Sequence, residues 1–270
     1  MQKNANILKK EEAFHDVWAK KIDTNDLCVL EAFEGPVSPE YHFAVNLLGN
    51  VKDRKILNPG CGAGEESVYL ATKNAQVTAF DISAEMLKVA QKLTSKFKVE
   101  KLVQFKKMNA EKLEFEDESF DLIFGNSVLH HIDIKKAIKE FHHVLKKNGK
   151  AVFIEPLAYN PLINRYRKMA KNVRTQDEHP LRYEDIEEFK KYFTNVRHYE
   201  FQLTTLLIFC YFFLVERVSP NKDRYWKKII REGEKYSFVF KILNSVDKVI
   251  LTVFPFMKRL CWVTVVEAVK

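Results

Sequence analysis

Hydrophobic positions between residues 51 and 156 alternate between short apolar runs and longer stretches with helical spacing. Apolar runs at 51–56 and 75–80 predict two strands, and the stretch at 65–73 between them predicts a helix. The same alternation continues to Pro156. Strands that alternate with helices form parallel sheets covered on both faces. The pattern therefore predicts an α/β fold with a doubly wound parallel sheet.

Helical patterns precede this core. Phe14, Val17, Trp18 and Ile22 follow helical spacing, and a second helix-like stretch occupies 39–48. After Pro156 a polar run reaches residue 181, and the periodicity then predicts further elements. These are a helix at 183–192, a strand at 195–202, apolar helices at 203–218 and 237–260, and a closing strand at 262–270.

Composition adds a charge asymmetry to this layout. The 270-residue chain has a net charge of +8, and residues 157–270 carry 21 basic against 13 acidic residues, so the whole excess lies there. A positive surface attracts nucleic acid, anionic lipid or an anionic small molecule. A general bias towards lysine is the alternative interpretation.

The cysteine spacing and the first ten residues help to predict the cellular compartment. Cys28, Cys61, Cys210 and Cys261 show neither a paired spacing nor histidine partners at zinc spacing, which predicts reduced thiols and no metal site. The first ten residues are lysine-rich and lack an apolar segment, so no signal peptide is expected. These patterns are typical of a cytoplasmic protein.

A glycine-rich turn carries the clearest chemical signal. Residues 57–64 read Leu-Asn-Pro-Gly-Cys-Gly-Ala-Gly, between the first strand and its helix. Gly60, Gly62 and Gly64 let the backbone approach a ligand closely. The second strand ends in Asp81, about twenty residues beyond the first glycine, where an acid hydrogen-bonds the two hydroxyls of a ribose. The turn therefore predicts a nucleoside site.

The residues after the turn indicate which nucleoside. Glu65 and Glu66 stand where a dinucleotide fold has its third glycine and a P-loop has Lys-Ser/Thr. Carboxylates suit the positive end of a helix dipole but repel a pyrophosphate docked there. A ligand with a ribose and no phosphates fits, and S-adenosylmethionine (SAM) meets that description.

At this point the chain resembles a known family, the class I SAM-dependent methyltransferases, and within it the type 11, UbiE-like group. Further motifs follow in order at 81–87, 108–111, 120–131 and 144–156. Asn58 and Asn109 stand where the family often has aspartate. The resemblance implies SAM as cofactor, and it implies a set of cofactor contacts. These are Asn58, Gly60, Gly62, Gly64, Asp81, Ile82, Met86, Asn109, Ala110, Asn126 and Trp18.

The resemblance also implies an organisation of the chain. The expected fold is a Rossmann-like, seven-stranded, mostly parallel sheet. Residues 1–50 would form an N-terminal helical lid, and 51–202 the SAM-binding core. Residues 203–260 would be a helical insertion that covers the substrate, and 261–270 the final strand of the core.

Candidate catalytic residues lie where the strands end. Methyl transfer from a sulfonium needs positioning first, and a general base only for some acceptors. His130 and His131 follow the fourth strand, His15 lies in the expected lid, and Tyr159 and His179 follow the fifth strand. Packing or helix-capping histidines, and a polar loop stabilised by salt bridges around Asp177-Glu178-His179, are the alternatives.

Together these features predict methyl transfer to a small, hydrophobic or lipid-like acceptor, with oxygen as the first choice of acceptor atom. A SAM-fold enzyme with other chemistry and a non-catalytic membrane-surface protein are the alternatives. The apolar run at 203–215 is too short to span a bilayer. It is a core helix, a pocket cover or an interfacial helix beside Lys222 and the neighbouring Arg224, Lys227 and Lys228.

Nucleic acid is a disfavoured partner. Methyltransferases of this fold that act on bases carry Asn/Asp-Pro-Pro-Tyr after the fourth strand, whereas residues 125–128 here read Gly-Asn-Ser-Val. The sequence contains no pattern that specifies an oligomeric state.

Overall fold

A seven-stranded sheet forms the centre of the computed structural model, which describes residues 2–175, 178–221 and 223–270. Asp177 and Lys222, named above, lie outside the described residues. The strands are β1 Lys55–Pro59, β2 Gln76–Asp81, β3 Val103–Lys107, β4 Phe120–Asn126, β5 Leu145–Pro156, β6 Asn195–Phe201 and β7 Val263–Val269.

The sheet has the order β3-β2-β1-β4-β5-β7-β6. Neighbours from β3 to β5 are parallel, and β7 pairs antiparallel with both β5 and β6. The predicted doubly wound, mostly parallel sheet is confirmed. The strand order reverses between β1 and β4, and ligands of such sheets bind at the carboxyl ends of the strands beside that reversal.

Helices cover both faces of the sheet. They are α1 Gln2–Ala19, α2 Val29–Glu34, α3 Pro39–Leu48, α4 Glu65–Thr72, α5 Ala84–Phe97, α6 Ile134–Val144, α7 Pro161–Met169, α8 Tyr183–Phe189, α9 Leu207–Leu214, α10 Tyr225–Arg231 and α11 Gly233–Val253. Strand alternation divides the core between the faces. Ile56 of β1 packs on the α3–α5 side, and the next residue, Leu57, packs on the α6–α8 side.

Local chemistry sets where several elements begin and end. The side chain of Ser83 caps α5 by accepting a hydrogen bond from the Met86 backbone at 3.0 Å. The first strand begins at Lys55 rather than at residue 51, because Asp53 adopts a left-handed turn and donates its backbone N–H to Asn74. The prediction of strand from residue 51 was therefore wrong at its start.

The segment between β6 and β7 contains α9, α10 and α11, in the region where the sequence predicts inserted helices. The helix predicted at 237–260 ends earlier, at Val253, and a 3-10 helix begins at Pro255. Proline lacks a backbone N–H and restricts the residue before it, which stops the α-helix. The sequence analysis did not predict α10.

Candidate active site

The glycine turn after β1 brings three left-handed residues together. Gly60, Gly62 and Gly64 have φ values of 58°, 50° and 87°. A Cβ on Gly60 would meet Val128 Cγ2 at 2.5 Å, and one on Gly64 would meet Ala90 Cβ at 2.8 Å. A Cβ on Gly62 would meet no atom of the described residues within 4 Å. Gly60 and Gly64 therefore permit close packing, whereas Gly62 faces open space.

Asp81 connects the glycine turn to the turn that follows β2 through two hydrogen bonds. Its Oδ2 accepts a hydrogen bond from the Gly62 N–H at 2.9 Å, and its Oδ1 accepts one from the Ser83 N–H at 2.9 Å. Each carboxylate oxygen keeps a second lone pair for another donor. The Ser83 hydroxyl in turn donates to Asp16 of α1 at 2.6 Å, which holds the N-terminal helix against the turn.

A cavity of about 240 Å³ adjoins the glycine turn at the carboxyl ends of the central strands. Eight of the residues singled out from sequence line it, namely Trp18, Gly60, Gly62, Met86, Asn126, His15, His130 and His131. The other eight are not part of its lining, namely Asn58, Gly64, Asp81, Ile82, Asn109, Ala110, Tyr159 and His179.

Several residues outside the lining have structural partners. Asn58 donates to the Phe124 carbonyl at 2.7 Å and accepts from the Ser67 hydroxyl at 2.6 Å, so its side chain joins β1 to β4 and α4. The Tyr159 hydroxyl accepts from the Tyr183 N–H at 2.8 Å. Asn109 accepts from the Glu111 N–H in a local turn, and His179 donates its backbone N–H to the His130 carbonyl.

A buried carboxyl organises the loop after β4. Glu155 Oε1 accepts hydrogen bonds from the Val128 and Leu129 N–H groups at 2.8 and 2.7 Å, and its Oε2 lies 2.7 Å from His130 Nδ1. Burial raises the pKa of Glu155 to about 7. Burial, with the charges of Arg174 and Arg167, lowers the pKa of His130 to about 3. His130 is therefore neutral at physiological pH.

His131 belongs to a separate group of side chains that includes Glu11 and His15 of α1. Glu11 Oε2 lies 3.2 Å from His131 Nδ1 and 3.7 Å from His15 Nε2. Burial alone would raise the pKa of Glu11, but close polar contact with both histidines holds it well below its ordinary value. Burial and the adjacent His130 lower the pKa of His131 to about 4. The site thus contains a neutral imidazole beside an ionised carboxylate.

Two further carboxyls on the cavity wall were not among the site residues that the sequence analysis selected. Glu66 Oε1 accepts from Asn126 Nδ2 at 2.7 Å, and Asn126 also donates to the Tyr41 hydroxyl at 2.8 Å. Glu40 accepts from Gln202 Nε2 at 2.7 Å, and its Oε2 has no hydrogen-bond partner among the described residues. Burial raises the pKa of both carboxyls to about 7.

Little in the sequence indicates that the Glu40 carboxyl is buried at the site. An acid in the first turn of a helix, directly after Pro39, is typical of a residue that complements the helix dipole at the surface. Only the packing of α3 against β5 and β7 buries this carboxyl.

His130, His131 and Glu178 bring three potential metal-ligand atoms within 4.8 Å of one another. The carboxylate of Glu178 already pairs with Arg174 and accepts from the Thr175 N–H at 3.3 Å. It therefore has a counter-ion within the protein, and the arrangement does not require a metal ion to balance its charge.

Comparison with known proteins shows which family this site belongs to. Residues 57–153 match a family described as "Methyltransferase domain". The matched range contains the glycine turn, Asp81, Asn126 and both adjacent histidines. This part of the chain is a class I SAM-dependent methyltransferase domain.

Relatives of this methyltransferase domain include quinone-modifying enzymes. A demethylmenaquinone methyltransferase of Chlorobaculum parvum is 36% identical over 126 residues, which cover 45% of this chain and 50% of that protein. A ubiquinone/menaquinone biosynthesis C-methyltransferase of Bartonella henselae is 35% identical over 107 residues, covering 37% of this chain and 40% of that protein. The chain thus spans about half the length, or less, of these two relatives.

The likeness in fold extends beyond the methyltransferase domain. The crystal structure of a geranyl diphosphate C-methyltransferase from Streptomyces coelicolor A3(2) superposes with a TM-score of 0.57. Sequence identity is 15%, and the match covers 86% of this chain and 78% of that one. The flanking helices therefore accompany the domain in a known overall arrangement.

Replacing Asp81 by alanine should weaken SAM binding by about tenfold or more. The variant loses an ionised acceptor for the ribose hydroxyls, and hydrogen bonds to charged groups contribute about 1.5–3 kcal/mol each. Isothermal calorimetry with SAM measures the change. Asp117→Ala is the control, because Asp117 is exposed and pairs only with His143 among the described residues. An Asp81 variant that binds SAM as the parent does would remove Asp81 from the cofactor site.

Replacing Glu40 by glutamine should make stability less sensitive to pH. The pKa of Glu40 rises from 4.5 to about 7 on folding, so the protonated form fits the fold and ionisation costs stability as pH rises through this window. The parent should lose roughly 2–3 kcal/mol relative to the variant between pH 4.5 and pH 8. Urea unfolding at both pH values measures this, with the exposed Glu31→Gln as control. Parallel pH profiles for parent and Glu40→Gln would contradict the assignment.

Proposed function

We propose that the protein transfers a methyl group from SAM to a small, lipid-like acceptor. The observation that carries this proposal is a single cavity that joins the glycine turn of the methyltransferase domain to apolar side chains from outside that domain. Those apolar side chains are Ile163, Val173, Trp226, Ile229, Ile230 and Trp262. A donor on the turn and an acceptor among these side chains would share one enclosed space, which favours in-line transfer.

Oxygen is the first candidate for the acceptor atom. A hydroxyl acceptor must lose a proton as the methyl group arrives, and a neutral imidazole can take that proton when an adjacent carboxylate stabilises the imidazolium. His131 lines the cavity and is neutral at physiological pH, and the ionised Glu11 beside it would stabilise the imidazolium that forms. His131 is therefore proposed as the general base.

Carbon is the second candidate, and the names of similar proteins favour it. The Bartonella henselae relative and the Streptomyces coelicolor structural neighbour are both named as C-methyltransferases. The position of the new methyl group distinguishes the two candidates. The ¹³C chemical shift of the transferred methyl group identifies the acceptor atom, because a methoxy carbon resonates far downfield of a methyl group on carbon.

The purified chain incubated with ¹³C-methyl SAM and a total lipid extract provides the test. We expect a labelled lipid-soluble product by mass spectrometry, with an equal amount of S-adenosylhomocysteine (SAH). His131→Ala should lower turnover while SAM affinity is retained. Consumption of SAM without a labelled product would indicate a SAM-fold enzyme with other chemistry. Absence of SAM binding would favour a non-catalytic protein.

The N-terminal region 1–50 is proposed to act as a lid. Phe14 and Trp18 of α1 stack at 6.0 Å between ring centres and line the cavity. The guanidinium of Arg224, the residue before α10, lies 4.1 Å from the Trp18 ring centre, so α1 and the start of α10 meet at the cavity. Opening of α1 would give ligands a way in.

Hydrogen exchange should detect this lid. Amides of α1 around Phe14 to Trp18 are expected to gain protection when SAH binds, because a ligand beneath the helix adds contacts that hold it closed. Amides of α8, which packs on the other face of the sheet, serve as the internal reference. Equal protection of α1 with and without SAH would make it an ordinary part of the core.

An exposed apolar surface suggests where a lipid-like acceptor would come from. Along α11, side chains at three- and four-residue steps face solvent and continue into the following 3-10 helix. This apolar stripe comprises Phe238, Val239, Ile242, Val246, Val249, Val253, Phe254 and Phe256. Soluble monomers rarely expose contiguous apolar patches of this kind unless they bind a partner.

Basic residues flank the apolar stripe. Lys241 and Lys248 are exposed and seven residues apart, so they lie on one side of α11, and Lys258 follows in the 3-10 helix. None of the three pairs with a carboxylate among the described residues. A stripe of apolar side chains edged by lysines is complementary to an anionic bilayer surface. We therefore propose peripheral contact with anionic membrane. No helix in the described part of the chain has the length and hydropathy needed to cross a bilayer.

A further inference from the structure

The cavity contains a group of arginines that the methyltransferase domain does not supply. Arg174 follows α7, and Arg224 precedes α10, and both line the cavity. Arg167 of α7 belongs to the same group, because the charge of Arg174 lowers its pKa. These three residues, the arginine cluster, all lie outside residues 57–153.

Two members of the arginine cluster pair with no carboxylate among the described residues. Arg224 donates from Nη2 to the Val173 carbonyl at 2.8 Å and stacks on Trp18. Arg167 donates from Nη1 to Asn164 Oδ1 at 2.7 Å and from Nη2 to the Leu157 carbonyl at 2.9 Å. The Nε of Arg167 is buried and has no hydrogen-bond partner in the described structure. Only Arg174 has an acid partner, Glu178.

Buried charges of one sign are costly unless an opposite charge compensates them. Burial lowers the pKa of Arg167 to about 9, and those of Arg174 and Arg224 to about 10, so all three stay protonated at neutral pH. Repulsion between the arginines lowers these pKa values further, because Arg174 lowers the pKa of Arg167 and Arg224 lowers that of Arg174. All three guanidinium groups therefore stay cationic, and among the described residues only Arg174 has a carboxylate in contact.

Among the described residues, only the carboxylate of Glu178 forms an ion pair with the arginine cluster. Glu40, Glu66 and Glu155 have pKa values raised to about 7 by burial, so each is only partly ionised at neutral pH. Glu65 pairs with Lys227 at 3.3 Å, and the ionised Glu11 contacts His131 and His15. Arg167 and Arg224 are therefore without a carboxylate in contact among the described residues, and an external oxyanion would provide one.

We propose that the arginine cluster binds the oxyanion group of the acceptor, so that the acceptor is an amphiphilic anion such as a carboxylate or a phosphate ester. Guanidinium groups bind both oxyanions through paired N–H donors. Ile163, Val173, Ile229 and Ile230 line the same cavity and would contact the apolar remainder of the molecule. This assignment rests on the proposed function, since it places the acceptor in the cavity that adjoins the cofactor turn.

The carboxylate of SAM is a second source of the same chemistry. If an arginine binds the cofactor, its replacement should lower the affinity of the protein for SAH. If an arginine binds the acceptor, its replacement should lower the affinity of the SAH-saturated protein for acceptor-like anions. These two measurements therefore separate the sources.

Calorimetric titrations with octyl phosphate, octanoate and octanol test the assignment, each with and without saturating SAH. The anions should bind at least tenfold more tightly than the alcohol, which has the same chain and no charge. Arg224→Gln should weaken binding of the preferred anion about tenfold or more and change SAH affinity less than twofold. Arg224→Lys, which retains the charge, should recover part of the loss. Arg231→Gln is the matched control, because Arg231 lies on α10 but is exposed and paired with Asp223.

Three results would overturn the assignment. The first is equal binding of octanol and the anions to the parent protein. The second is a loss of SAH affinity in Arg224→Gln as large as its loss of anion affinity, which would assign Arg224 to the cofactor. The third is unchanged anion binding in Arg224→Gln. Failure of the parent to bind SAH would instead contradict the proposed function, and the titrations without SAH would still decide whether the cluster binds anions.

Discussion

Gly62→Val should abolish SAM binding and leave the methyltransferase domain folded. A Cβ at this position meets no atom within 4 Å in the described part of the chain, so the valine side chain would occupy the open space that the cofactor needs. The left-handed φ of 50° adds strain of about 1–2 kcal/mol for a residue with a side chain. We expect an affinity loss of about 100-fold or more, equivalent to about 2.7 kcal/mol. Calorimetry with SAM measures the affinity, and a thermal melt reports the fold.

Gly64→Val provides the contrast for this prediction. A Cβ on Gly64 would meet Ala90 Cβ at 2.8 Å and Ala90 Cα at 3.1 Å, so the side chain would push α4 and its turn away from α5. This variant should lose stability, whereas Gly62→Val should lose ligand affinity first. SAM binding by Gly62→Val within threefold of the parent would remove the glycine turn from the cofactor site.

Disrupting the apolar stripe should prevent membrane binding. Val249 is 63% exposed and Phe238 is 74% exposed, so aspartate at both positions should disturb the fold little. Each apolar side chain that enters the bilayer interface contributes up to about 1.5–3 kcal/mol, and each nearby lysine about 1 kcal/mol. The parent should sediment with phosphatidylserine-containing vesicles at low salt and less at high salt, because salt screens the lysines. The double variant Phe238→Asp, Val249→Asp should stay in the supernatant.

Leu30→Asp is the control for the membrane experiment. Leu30 is 44% exposed on α2, outside the apolar stripe, so its replacement adds one negative charge, half that of the double variant, to a different surface. This variant should bind vesicles as the parent does. A parent protein that fails to bind anionic vesicles at low salt would contradict membrane contact. Light scattering would then test the stripe as an interface between two copies of the chain.

Sequence periodicity was sufficient for most of the central sheet. The apolar run at 75–80 corresponds to β2 within one residue, and the closing strand at 262–270 corresponds to β7. Local boundaries were less predictable where backbone turns intervene. Asp53 begins a turn that shortens β1, and Pro255 ends α11 seven residues before the end of the predicted helix.

The candidate functional residues also divide into those that the sequence pattern predicts and those that only tertiary packing brings to the site. The glycine turn and Asp81 were visible in the sequence, because their contacts depend on backbone conformation and on spacing within about 25 residues. Glu11 and Glu40 were not, since each acquires its role by packing against residues far away in the chain. Glu11 meets His131 across the site, and Glu40 accepts a hydrogen bond from Gln202.

The sequence by itself determined the strand–helix alternation, the glycine turn and the absence of a phosphate-binding pattern, because local periodicity and backbone geometry specify these features. Only the tertiary structure decided which charges meet in the cavity. Arg174 and Arg224 are separated along the chain by β6 and α9, and the fold brings both to the cavity because Tyr166 of α7 packs on Tyr225 of α10 and Arg224 donates to the Val173 carbonyl. Burial then changes the protonation of the carboxyls and histidines around them, and burial is a property of the packed molecule alone.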